Sequence, residues 1–111
     1  MQFSTETFGN VLVAHTPDEL TDETVHAFLG ALEDPIEQGQ VNIVLQMDRS
    51  DIFDSVGLSA LVELQDDLRQ RGGNLKITGL EAPGRKIFEV TRLDSRFDLF
   101  ESVIDAVSSF R

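Results

Sequence analysis

The chain has 111 residues, 41% of them hydrophobic, which suits one domain with a modest core and excludes a disordered polymer. It has no cysteine, which excludes disulfides, thiolate nucleophiles and cysteine-held zinc and fits a reducing compartment. The formal net charge is -11 and the first basic residue is Arg49, so the N-terminal part carries only acids, including Asp18, Glu19, Asp22, Glu23, Glu33, Asp34 and Glu37. Such a surface repels nucleic-acid phosphates and anionic lipids. The acidity reads either as plain solubility or as a face for a basic partner.

The opening "MQFSTETFGN" has no basic or apolar leader pattern, so no signal peptide is expected. No apolar run approaches the ~20 residues of a membrane helix. Membrane insertion is therefore not expected, and the protein reads as soluble and cytoplasmic. A candidate strand near Gln2 to Thr7 and a second in "NVLVAH" form a hairpin turning near Phe8-Gly9-Asn10. In "TPDELTDETVHAFLGALEDPIEQG", Thr21 or Asp22 can cap a helix in which Val25, Phe28, Leu29 and Leu32 recur at helical spacing. Pro35 and Gly39 mark its end.

"VNIVLQM", Val41 to Met47, is a nearly unbroken β-branched run, the composition of a strand covered on both faces. After Ser55 a long helix places Leu58, Leu61, Val62 and Leu68 on one side, with Glu63, Asp66, Asp67 and Gln70 mostly on the other. Gly72-Gly73 stops it, with Arg69 and Arg71 near the negative end of its dipole. "NLKITGL" is the next strand, with Leu75 and Ile77 on one face. "PGRKIFEVTRL" is a short helix with Pro83 near its start, "FDLFES" a last short strand, and "SVIDAVSSF" a helix with Val103, Ile104 and Val107 at apolar spacing. The order β-β-α-β-α-β-α-β-α predicts an α/β fold: one domain over residues 1–111, with a mixed sheet and helices mainly on one face.

Ser55 stands between a strand and a helix, where unpaired N–H groups and the helix dipole favour an anion. It is either a chemical handle or part of a plain cap, with Asp54 or Ser55 as the capping residue and Gly57 allowing close packing. A GxSxG hydrolase turn lacks its first glycine here, and the two histidines, His15 and His26, read as ordinary surface or half-buried residues. Asp48, Asp51 and Asp54 recur every three residues, which reads as a solvated loop rather than a magnesium site. No phosphate-binding glycine loop, metal site or cofactor is expected. Arg85, Lys86, Arg92 and Arg96 form a basic cluster, either a solvated helix or a second contact surface.

The segment "VNIVLQMDRSDIFDSVGLSALVELQDDLRQRGGNLKITGLEAPGRKIFEVTRLDSRFDLFES" resembles the STAS domain, and in particular stand-alone anti-sigma-factor antagonists. The shared pattern is a β-branched strand, an apolar-Asp-Ser-x-Gly-Leu turn, an amphipathic helix ended by Gly-Gly, a strand with Gly-Leu, and "RLDSRFDLF". The resemblance implies a non-enzymatic binding protein. Unphosphorylated, it would hold an anti-sigma factor that is also a serine kinase; phosphorylation at the turn would release it and so regulate transcription indirectly, and a serine phosphatase would reset the switch. Because Val56 has no hydroxyl, the implied phosphorylation site is Ser55. The implied partner-binding residues are Asp22, Asp51, Asp54, Ser55, Val56, Gly57, Leu58 and Ser59. The chain departs from the family pattern at Thr21 and at Gln46. The alternative within the same family is a constitutive scaffold or transporter-associated subunit that uses no phosphate.

Overall fold

The computed structural model describes residues 3–110. A hairpin opens the fold: β1 (Thr5–Phe8) and β2 (Val11–His15) pair antiparallel across Gly9, whose φ of 62° a side chain would resist. The part of the expected first strand at Gln2 lies outside the described residues. There follow β3 (Glu19–Leu20), α1 (Val25–Glu37), β4 (Asn42–Gln46), β5 (Ile52–Phe53), α2 (Ser55–Gln70), β6 (Asn74–Thr78), α3 (Ala82–Val90), a 3-10 turn at Leu93–Ser95, β7 (Leu99–Phe100) and α4 (Val103–Ser108). The main sheet has the order β1-β2-β4-β6-β7, with only the β1–β2 pair antiparallel. It is the mixed sheet that the pattern predicts.

The alternation along each strand decides what covers each face. Leu12, Ala14, Ile43, Leu45, Leu75 and Ile77 belong to a core shared with Phe28 and Leu32 of α1, Leu61 and Leu68 of α2 and Phe88 of α3. Each such fully buried large side chain contributes ~1.5–3 kcal/mol relative to exposure. Val11, Val13 and Val44 point the other way, to Ala106 of α4. Ile43, Val44 and Leu45 are all fully buried, so β4 is the doubly covered strand its composition announces. Three helices share one face, and α4 covers the other.

Lys76, on β6, also points to the α4 face. Its ammonium donates to the Ser109 carbonyl at 3.2 Å and to Ser109 Oγ at 2.8 Å, 4.4 Å from the centre of the Phe110 ring. A charge at the last carbonyls of a helix complements its dipole, and here it ties a six-residue helix to the sheet. The apolar stripe of α4 differs from the one expected: Ala106 is buried and Val103, Val107 and Phe110 pack around it, while Ile104 is 77% exposed.

Two helix ends follow different rules. At α2, Gly73 N–H donates to Leu68 O at 2.8 Å and Gly72 N–H to Arg69 O at 3.1 Å, the two bonds of a left-handed glycine stop. At α1, Pro35 does not mark the end; it lies inside the helix, which continues to Glu37 because Ile36 is buried in the core. The start of α1 also lies later than expected. Thr24 is its cap residue, and Thr21 instead accepts from the Glu23 N–H in a preceding turn. The element order read from the sequence does not include β3 and β5. They pair parallel, Glu19 with Ile52 and Leu20 with Phe53, as a separate two-stranded sheet.

Candidate functional site

The small β3–β5 sheet brings two loops together at the start of α2. Beneath them, Thr16 and Ser50, both buried, share a hydroxyl–hydroxyl bond of 2.6 Å, and Ser50 also donates to the Pro17 carbonyl. Above, the Asp51 N–H donates to Asp18 O at 3.1 Å and the Asp54 N–H to Leu20 O at 3.3 Å. Asp54 is the cap of α2. One carboxylate oxygen accepts from the Gly57 N–H at 2.8 Å, the other from the Asp22 N–H at 3.0 Å. The Gly57 amide, and after it the Asp22 amide, holds the Asp54 carboxyl below the usual carboxylate range. Gly57 is there for space: a Cβ on it would stand 2.0 Å from the Leu20 carbonyl oxygen.

Ser55 is the first residue of α2 and is exposed. The question left open by the sequence is resolved on one point: Asp54, not Ser55, is the cap, so the Ser55 hydroxyl is not consumed in holding the helix. Asp22, Asp51, Val56 and Ser59 are also exposed, Val56 at 43%. Gly57 is buried and Leu58 packs against the main core, so these two shape the turn from inside. Sequence reasoning missed Ile52, which is 49% exposed beside Asp51. Its signal was the two-residue alternation of "DIF", in which Ile52 points out and Phe53 in. It also missed the Thr16–Ser50 tie, which joins residues 34 positions apart and leaves no local pattern.

The remaining constellations resolve separately. His15 lies 3.9 Å from Glu6 on the hairpin. His26 is exposed on α1, and among the described residues no hydrogen bond joins it to Ser55, so the base–nucleophile pair of a hydrolase is not made. Asp48 lies against Gly79 while both Asp54 oxygens are engaged by amides, so these two aspartates serve different neighbourhoods. Among the described residues no three His, Asp or Glu side chains converge as metal ligands. Three of the four basic residues take their own local partners: Arg85 donates to Leu80 O at 2.9 Å, Lys86 sits 3.8 Å from Glu89, and Arg96 pairs with Asp66. Among the described residues no helix is long and apolar enough to cross a membrane.

The sequence pattern of the STAS domain matches residues 2–106. The chain belongs to the STAS domain family. It is 23% identical over 111 residues to BtrV of Bordetella bronchiseptica, a protein provisionally assigned as an anti-sigma factor antagonist; the alignment covers 100% of this chain and 96% of BtrV. The fold matches a crystal structure from Thermotoga maritima carrying the same provisional assignment, with a TM-score of 0.89, 20% identity, and coverage of 98% of this chain and 94% of that one. It also matches the Bacillus cell fate determinant SpoIIAA in its phosphorylated form, with a TM-score of 0.73, 20% identity, and coverage of 99% and 100%.

Proposed function

We propose that this protein is a cytoplasmic anti-sigma-factor antagonist acting as one domain over residues 1–111. Unmodified, it binds an anti-sigma factor that is also a serine kinase; phosphorylated on Ser55, it lets go, and a phosphatase resets it. It regulates transcription through this exchange and catalyses nothing itself. The observation that carries the reading is the exposed Ser55 hydroxyl at the first position of α2, on a turn already braced by Asp54 and Gly57. The partner face runs over Asp22, Asp51, Ser55, Val56 and Ser59, and Ile52 adds an apolar contact to it. Asp54, Gly57 and Leu58 support it from within.

The energetics favour a switch of contact rather than of fold. A phosphate adds about -1.5 to -2 charges. At a helix N-terminus that charge is mildly stabilising, by roughly 0.3–1 kcal/mol, so the domain stays folded. Against a docked partner the same charge is buried beside Asp51 and Asp54, where an unpaired charge costs several kcal/mol. The relatives assigned as antagonists, and SpoIIAA with its phosphorylated form, support this reading.

The test is peptide mapping by mass spectrometry of the protein from its own cells, resting and stressed, beside pull-downs with wild type and Ser55→Asp. A phosphate on Ser55 whose occupancy follows conditions, with the partner lost in Ser55→Asp, is expected. No phosphate in any condition, with equal partner capture by both proteins, overturns the reading in favour of a constitutive STAS scaffold.

A further inference from the structure

A cavity of about 260 Å3 opens between the first turns of α1 and α2. Val25, His26 and Leu29 line it from α1, and Ser55, Ser59 and Glu63 from α2. His26 is the only residue of that lining able to carry a positive charge. Among the described residues no carboxylate oxygen comes within 4.0 Å of the His26 ring nitrogens, whereas His15 has Glu6 at 3.9 Å. At the helix start itself, Asp54 already takes the Gly57 amide.

We infer that His26 is the side chain that answers a phosphate on Ser55, pairing with it across the α1–α2 groove and tuning how much charge the modified face displays. This rests on Ser55 being the phosphoacceptor and adds a regulator to that site. Imidazole and the second ionisation of a phosphate monoester titrate in the same range, near pH 6–6.5, so the two groups are coupled. By linkage the imidazolium favours the dianion and the dianion favours the imidazolium. The other charges around His26 are Glu63 across the groove, Asp22 and Glu23 at the entry to α1, and Asp54 beside Ser55. All are carboxylates, so none of them competes with His26 for the phosphate. The imidazolium offsets part of the added phosphate charge; with the ring neutral, the full charge faces the partner. Release by phosphorylation is therefore sharper at pH 8 than at pH 6.

The experiment installs phosphoserine at position 55 during synthesis, so no kinase enters it, and follows the phosphate by 31P NMR against pH. The phosphate midpoint is expected to lie about 0.5–1 pH unit lower in the otherwise wild-type protein than with His26→Gln, and to be unchanged by His15→Gln. An equal midpoint with and without His26 overturns the inference. So does an equal displacement by His15→Gln, which would report the general field. Neither result bears on whether Ser55 is phosphorylated in cells, which peptide mapping decides.

Discussion

Two glycine-to-alanine substitutions, both inside helices, are expected to act in opposite directions. At Gly57 the new Cβ would stand 2.0 Å from the Leu20 oxygen and 2.6 Å from the Leu20 carbonyl carbon. Both are backbone atoms, so no rotamer change relieves the clash, and ordinary contact requires the β3 loop to retreat by roughly 1.4 Å. That retreat stretches the Asp54 N–H bond to Leu20 O and the Asp22 N–H bond to Asp54. Overpacking costs ~1–3 kcal/mol and each weakened bond up to ~1 kcal/mol, against a gain of ~1 kcal/mol in helix propensity. Gly57→Ala is expected to lose about 2 kcal/mol net, lowering Tm by about 8 °C at roughly 4 °C per kcal/mol. Gly30, inside α1, has nothing within 4 Å of its would-be Cβ, so Gly30→Ala keeps the propensity gain, about 1 kcal/mol and about 4 °C upward. Urea and thermal unfolding of the two variants beside wild type measure both. A Gly57→Ala protein as stable as wild type would refute the packing argument, since propensity alone would then decide both sites.

Three further outcomes follow from other residues. Asp54 titrates below its unfolded value, so its contribution is present above about pH 4 and is lost as pH falls through the lowered folded value; acid unfolding of Asp54→Asn should lack that part of the pH dependence. Lys76→Met keeps the bulk but removes both bonds to Ser109, so amide exchange across Val103–Phe110 is expected to rise roughly tenfold while β4 and β6 stay protected; unchanged exchange in α4 would show that its apolar contacts alone hold it. Arg92 has φ 62°, a left-handed conformation that glycine adopts freely, so Arg92→Gly should gain about 1 kcal/mol in urea unfolding.

What the sequence made legible is what repeats locally. The β-branched run from Val41, the apolar rows of α1 and α2 and the Gly72-Gly73 stop each carry their period or their punctuation within a few residues. The family motif led to Ser55 for the same reason. What stayed hidden depends on partners far along the chain. Glu19–Leu20 and Ile52–Phe53 are two-residue strands, too short for alternation to single them out, and each is defined by pairing with the other. Gly57 could be read as a close approach, but not that the approaching atom is the Leu20 carbonyl. The α4 stripe was misassigned at Ile104 because six residues barely complete a helical repeat, and Pro35 because burial of Ile36 outweighed a local breaker. His26 read as ordinary because its groove is made by a second helix.

The two-stranded β3–β5 sheet has a kinetic meaning. Because it fixes the Asp18–Asp22 and Asp51–Ser55 segments against each other before anything docks, a partner meets a finished surface and need not order two loops on contact. Under the proposed function, association then carries little conformational entropy loss on this side. Under that same function, a signal written as one phosphate is accordingly read at the speed of dissociation, with no refolding step between the mark and its effect.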